Sequence, residues 1–394
     1  MDDRPPDPRA LAAQAMQAMR SGDARGARDR LQQAVALNAG DSGLWLNLAM
    51  AERALGEDQA EFDALERALA LEPRSLAGLL LKGAWYERAK EPRKAGATFA
   101  SALAVAPPYE QLPADMRAAV RHAYDMSQAY AAERESFLRG YVKKAADRLA
   151  GERLDRFEES LEITLGKKSV YRQQPHILFW PGLPTIQFFD RELFPWADHV
   201  DAATDAVRTE LLKVLAADQD LVPYIDYPDS APLDQWRELN KSPSWSAYHF
   251  KKDGKRIEEH CAACPDTMAA LEPVPGPDIP AHCPVAMFSL LKPKTRIPPH
   301  TGVTNARLVV HLPLIVPEGC MYRVGNDSRP WVEGRSWVFD DTIEHEARND
   351  SDKLRSVLIF DVWNPFLREA EQELVGAMIA GLDAFADEAA SKDW

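Results

Sequence analysis

Apolar positions between Leu11 and Pro107 recur at helical spacing, and the recurrence itself repeats every thirty-four residues. Ala34-Val35-Ala36-Leu37-Asn38 returns as Ala68-Leu69-Ala70-Leu71-Glu72-Pro73 and again as Ala102-Leu103-Ala104-Val105-Ala106-Pro107. Small residues keep step at Ala15, Ala49 and Gly83, and a turn glycine at Gly22 and Gly56. A period of this length closed by helix-breaking proline predicts two antiparallel helices per unit, and about three units is the minimum at which stacking buries a continuous core. Pro107-Pro108-Tyr109 ends the pattern, and a stretch rich in Ala, Arg and Glu from Ala114 to Gly166 reads as further helix. Its Tyr124, Met126, Tyr130, Phe137 and Tyr141 are expected to pack between the repeats and the domain C-terminal to them.

After Lys168 long helical periodicity fades and Pro, Trp and Phe rise. Pro175 to Gly182 reads as strand and turn, Asp201 to Leu215 as one amphipathic helix, and Trp245 to Phe250 as a strand running into an Asp253-Gly254 hairpin turn. Pro273 to Pro284, with five prolines, is a loop. From Val285 onward, short apolar strands separated by turn residues predict an antiparallel β-barrel or jelly roll, the pattern alone admitting any cupin-like fold. The tail from Arg368 to Trp394 predicts a helix with Leu374, Met378, Leu382 and Phe385 on its packing stripe. The expected architecture is α+β and multidomain: tetratricopeptide-like repeats, an α-solenoid, over 1–107; a helical connector over 108–170; the sheet-rich domain over 171–368; and a C-terminal helix over 369–394. An array of this kind suggests a groove for a protein partner, with a stabilising cap or a dimerisation surface as the plainer alternative.

Charge and cysteines narrow the classes. A net charge of −14 argues against nucleic acid or an anionic membrane as the main partner, since both attract basic surfaces. No apolar run approaches the eighteen or so residues of a membrane helix, and the N-terminus lacks the basic and apolar regions of a signal peptide, so the expected location is cytoplasmic. Cys261, Cys264, Cys283 and Cys320 are too few for a disulfide scaffold, and Cys261-x-x-Cys264 has no second pair to complete a zinc site, so these read as structural thiols.

The chemistry concentrates between Pro299 and Pro365. His300 and His345, each beside an expected strand and forty-five residues apart, are followed ten residues later by Arg355 at the head of an apolar run. Imidazole suits Fe(II), which oxygenases hold with two His and one carboxylate, leaving positions open. The carboxylate usually stands two residues after the first His, and here that residue is Gly302. Arg355, held in an apolar strand, needs an anion to compensate it, and its planar fork matches a carboxylate. Arg307, Val309 and His311 share one strand face by the two-residue alternation. Asp340 and Asp341 read either as a partner for a ligand histidine or as a turn. His176, His199, His249, His260 and His282 lack ligand spacing and read as surface or hydrogen-bonded side chains.

Several ordered blocks resemble the catalytic domain of aspartyl/asparaginyl β-hydroxylases, which are 2-oxoglutarate-dependent oxygenases. They are Pro181-Gly182-Leu183-Pro184, Cys261-Ala262-Ala263-Cys264-Pro265, Phe288-Ser289-Leu290, Pro299 to Asn305, Arg307 to Leu312, Trp337 to Asp341, Glu344-His345-Glu346 and Arg355 to Pro365. The likeness spans about half the chain, and this family also has Gly in the carboxylate position. It implies a double-stranded β-helix, Fe(II) on His300 and His345, 2-oxoglutarate and O2 as cosubstrates, Arg355 with Ser289 on the distal carboxylate, and His311 at the keto-acid end. The family's arginine two residues before that histidine is Val309 here, so either Arg307 or a residue from another loop takes its place or cosubstrate affinity is lower, and Arg307 equally suits a substrate carboxylate. The implied target is the β-carbon of Asp or Asn in a peptide or protein. The alternatives are a lipid acyl chain or small molecule, or a jelly roll that only binds.

Overall fold

The computed structural model describes residues 7–149, 151–217, 220–228, 230, 232–279 and 282–390, with side chains described as far as 385. It divides into two compact units, Met1–Lys167 and Lys168–Trp394.

The first unit is helical. Helices α1 (Pro8–Arg20), α2 (Ala24–Leu37), α3 (Ser42–Leu55), α4 (Asp58–Leu71), α5 (Leu76–Arg88) and α6 (Pro92–Leu103) form three pairs whose starts are thirty-four residues apart. Asp7, Asp23, Asp41 and Ser75 cap α1, α2, α3 and α5 by accepting from backbone N–H groups two or three residues on. Ala15, Ala49 and Gly83 are buried within the pairs, and a Cβ on Gly83 would lie 2.5 Å from the Phe99 ring. The turn glycines Gly22 and Gly56 sit at φ +83° and +75°; in the third pair the same turn uses Lys90 at φ +58°. Helices α7 (Arg117–Arg148) and α8 (Asp155–Thr164) complete the unit. The expected packing of their aromatics is only partly met. Tyr130 packs on Gly96, but Tyr124, Phe137 and Tyr141 are exposed, the last two stacked on each other.

The second unit holds two antiparallel sheets. The strands are β1 (Val222–Pro223), β2 (Trp245–Lys252), β3 (Lys255–Arg256), β4 (Ala286–Leu291), β5 (Thr295–His300), β6 (Arg307–Ile315), β7 (Cys320–Val324), β8 (Asp327–Arg329), β9 (Trp337–Phe339), β10 (His345–Asn349) and β11 (Arg355–Trp363). The larger sheet runs β1-β2-β4-β11-β6-β9 with β3 on β2, the smaller β5-β10-β7-β8. Asp253 and Gly254, both at positive φ, make the β2–β3 hairpin turn that Asp-Gly favours.

Helices α9 (Ala197–Ala202), α10 (Thr204–Ala217), α11 (Glu258–Ala263) and α12 (Pro265–Leu271) cover the outer face of the larger sheet. Their Val200, Val207, Leu211 and Ala270 pack with Phe288, Leu308, Val310 and Leu358. A second core lies between the sheets, with Leu291, Val309 and Val357 from one and Ile297, Tyr322, Val324 and Ala347 from the other. The central strands are therefore buried on both faces: β4 is apolar but for Ser289, and in β2 Ser246 and His249 are buried as well.

Three expectations are corrected. The helix foreseen over Asp201 to Leu215 is two, broken at Ala203, where the Thr204 hydroxyl donates to the Asp201 carbonyl. Pro175 to Gly182 forms no strand. It is an extended strap tied by the amides of His176, Ile177 and Leu178 to the carbonyls of Gly302 and Val303, with a turn at Gly182.

The tail helix α13 (Glu369–Ala390) forms, but it buries Val375 and Ile379 against Leu178, Ile279 and Ala306. Leu374, Met378, Leu382 and Phe385 are 55, 49, 50 and 74% exposed. Two apolar stripes compete on this helix, and the β-branched one is buried. Positions 391–394 of the expected tail, and Pro280 and Ala281 of the proline loop, lie outside the described residues. No helix among the described residues is long and apolar enough to cross a membrane.

Candidate active site

A cavity of about 520 Å³ opens between the two sheets and gathers every site residue that the sequence singled out: His300, His345, Arg355, Ser289, His311 and Arg307. Strand pairing brings the histidines together. His300 ends β5, His345 opens β10, and the two are direct cross-strand partners with ring centroids 4.0 Å apart. His300 Nδ1 bonds the Pro298 carbonyl at 2.8 Å and His345 Nδ1 the Ile343 carbonyl at 3.0 Å. A carbonyl only accepts, so each ring carries its proton on Nδ1 and keeps a lone pair on Nε2. Burial pulls both imidazoles well below the ordinary histidine range, to about 3 for His300 and about 4 for His345, so both are neutral.

The larger sheet supplies the opposite wall. Along β11 the alternation that begins at Arg355 turns Ile359 and Asp361 toward the same cavity. Arg355 is 1% exposed; among the described residues its Nε has no hydrogen-bond partner, and Nη1 makes a long 3.5 Å contact to the Ser289 carbonyl. Among the described residues no carboxylate pairs with it. Burial pushes its guanidinium down to about 10, and it lies 5.0 Å from the Trp331 ring centroid.

Ser289 Oγ accepts from Trp245 Nε1 at 3.1 Å and keeps its own proton to donate. His311 Nδ1 accepts from Trp331 Nε1 at 3.3 Å, which places its proton on Nε2. Burial, with Arg355 nearby, holds this ring far below the usual range and therefore neutral.

Arg307 and Val309 do share the face of β6 that lines the cavity. Arg307 is ion-paired, with Nη2 3.0 Å from Asp341 Oδ2 and Nη1 3.5 Å from Asp361 Oδ1, while its Nε and Nη1 make no hydrogen bond among the described residues. The Asp pair resolves into two roles. Asp340 is the turn residue, accepting from the Thr342 amide and hydroxyl and from Gln173. The Asp341 carboxylate bonds neither histidine ring; it pairs with Arg307 while its Oδ1 has no hydrogen-bond partner among the described residues. A Cβ on Gly302 would stand 2.0 Å from Asp341 Oδ2, so the space beside Gly302 is filled by this carboxylate. Among the described residues no group of three His, Cys, Asp or Glu is arranged to hold a metal.

Sequence reasoning missed several lining residues. Asp361 was hidden in an apolar run, although counting by twos from Arg355 would have found it. His176 reaches Thr301 Oγ1 at 3.1 Å from the strap, Tyr224 stacks on Trp245 at 4.0 Å, and Trp236 sets its edge toward His300 at 5.1 Å. Nothing in the local pattern marked these three.

Residues 201–365 match the family model described as Aspartyl/Asparaginyl beta-hydroxylase. The likeness to that hydroxylase family lies in these residues of the sheet-rich unit. The ornithine lipid ester-linked acyl 2-hydroxylase of Rhizobium tropici is 35% identical over 187 residues, 47% of this chain and 62% of the relative. The human aspartyl/asparaginyl beta-hydroxylase is 33% identical over 176 residues, 43% of this chain and 23% of the relative. The chain thus spans less than two thirds of either hydroxylase. For the repeats, the Arabidopsis OM64 TPR domain is similar at a TM-score of 0.26 and 18% identity, covering 29% of this chain and 93% of that one.

Proposed function

We propose that the second unit is a 2-oxoglutarate- and Fe(II)-dependent hydroxylase, its two sheets forming a double-stranded β-helix. The observation that carries this reading is Arg355. A guanidinium buried without an internal anion is costly unless a ligand compensates it, and it faces a cavity whose other wall presents two neutral imidazoles with free lone pairs. That donor set fits a divalent first-row metal with open positions, and the unpartnered Asp341 Oδ1 beside it is an acceptor suited to a metal-bound water. The metal, when bound, supplies the oxidising chemistry that no side chain can: reductive activation of O2 coupled to decarboxylation of the keto acid.

The chain's own residues bind and orient. Arg355 and the Ser289 hydroxyl hold the distal carboxylate of 2-oxoglutarate, and His311 Nε2–H donates toward its keto-acid end. The carbonyls of Pro298 and Ile343 fix the imidazole tautomers. Tyr224, Trp236 and Trp245 wall the cavity and exclude water.

The substrate we favour is an Asp- or Asn-bearing peptide or protein, as the human relative's name suggests, with the helical repeats as the surface that takes a protein partner. The second reading, an acyl chain, rests on the name of the rhizobial relative. Four buried free cysteines suit the reducing cytoplasm. The test is direct. Purified protein should bind Mn(II) and 2-oxoglutarate and, with Fe(II) and O2, release succinate; His300→Ala should abolish metal binding and Arg355→Gln 2-oxoglutarate binding. Neither binding nor succinate from the wild-type chain would leave a jelly roll that only binds.

A further inference from the structure

The thirty-four-residue period ends after α6, and its ending leaves a pocket in the helical unit. Helices α1, α3 and α5 start at Pro8, Ser42 and Leu76, so the next is due at Glu110, yet α7 starts at Arg117. Arg117 also stands where Ala15, Ala49 and Gly83 let the paired helices close, and its side chain is too large for that role. Pro107, Pro108 and a 3₁₀ turn at Tyr109–Gln111 bridge the gap. A pocket of about 340 Å³ opens there, between Leu103 at the end of α6 and Val120, Arg121 and Tyr124 on α7. Its floor is apolar, with Leu112 and Val120 buried, while Tyr109 and Tyr124 stand exposed at the rim.

Arg121 is the charged residue of the lining. Its Nη2 donates to Tyr109 Oη at 3.2 Å, which leaves most of its N–H donors free. The guanidinium groups of Arg121 and Arg117 lie 5.6 and 5.9 Å from the centroid of the Tyr109 ring, and Arg117 donates to the carbonyls of Leu112 and Glu110. Elsewhere in the unit Arg88, Arg93 and Arg139 pair with carboxylates; among the described residues Arg117 and Arg121 pair with none. The nearby Glu110, Asp115 and Asp125 are exposed to water and outside the lining, and of these only Asp125, one turn on, attracts Arg121.

We propose that this pocket docks an acidic segment of a partner protein, a bulky apolar side chain filling it while a neighbouring Asp or Glu meets Arg121 and Arg117. The proposal rests on the reading of the helical repeats as a surface for a protein partner, and not on the hydroxylase reading. The lining sets the occupant's chemistry. Ligand pockets run from roughly 300 to 1,000 Å³, so this one takes a short anchor, and rim tyrosines are the residue type that such anchors pack against. A guanidinium stacked on a ring still offers its edge to a carboxylate. Charges more than about 8 Å away are largely screened at physiological ionic strength, so the two guanidinium groups, and not the net charge of −14, set the sign met at the rim.

The experiment selects a displayed library of short random peptides on the full chain and measures the recovered peptides by fluorescence anisotropy; neither step needs iron or a cosubstrate. Recovered sequences are expected to set Asp or Glu beside Phe, Trp, Leu or Met. Exchanging the acid for its amide should weaken binding about three- to fivefold, as should Arg121→Gln in the chain. The loss on that exchange should shrink in Arg121→Gln, which a merely structural role for Arg121 would not produce. Tyr124→Ala, at an exposed position, should weaken binding about tenfold with an unchanged circular dichroism spectrum. Recovery of basic or uncharged sequences overturns the proposal. Acidic peptides whose affinity is unchanged in both variants overturn it while leaving the repeats a partner surface elsewhere, and recovery of no peptide at all overturns the partner reading with it.

Discussion

At the scale of single residues, the cost of the site is concentrated in Arg355. A base whose pKa falls on folding, here down to about 10, is stabilised as the neutral form, so at neutral pH its charge works against the fold. Arg355→Met should therefore leave the ligand-free protein as stable as wild type or more stable by about 1 kcal/mol or more in urea unfolding, while removing 2-oxoglutarate binding. A loss of stability by a few kcal/mol would mean that the charge is compensated internally. Arg355 was legible because a cation heading an apolar strand needs an explanation. Asp361 six residues on was equally anomalous, and its meaning depended on a partner, Arg307, brought beside it only by the pairing of β6 with β11.

Among elements, the repeats were the most legible because a period is a redundant signal: each pair of helices restates the previous one. Their one local conflict is Lys90, whose left-handed backbone is held by glycine in the other two turns. Replacing it should relieve strain, so Lys90→Gly is expected to stabilise the helical unit by roughly 0.5 to 1 kcal/mol, measured by urea denaturation followed by circular dichroism at 222 nm. A destabilised variant would mean that the Lys90 side chain contributes more than its backbone costs. The sheet-rich unit was legible in its strands but not in its helix faces. On α13, Leu374 and Val375 begin two apolar stripes one residue apart, and periodicity alone does not rank them. The break at Ala203 and the strap at His176 were equally silent, since both depend on hydrogen bonds to distant backbone.

Over the whole molecule, two compact units joined at Lys167 and Lys168 suggest two unfolding transitions. Saturating Mn(II) with 2-oxoglutarate should raise only the transition of the sheet-rich unit, by about 2.7 kcal/mol at a hundred times Kd, and leave the helical one in place. Calorimetry with and without the pair decides this; a shared shift would mean that the units unfold as one. The imidazoles of His300 and His345 stand on the smaller sheet and the Arg355 guanidinium on the larger. On the proposed function, the gap between the sheets would act as a gauge for the acid's carbon backbone: an acid one methylene shorter or longer would meet the wrong span. Selectivity among keto acids would then depend on the packing of Ile297, Tyr322 and Val357 between the sheets, which spaces the jaws.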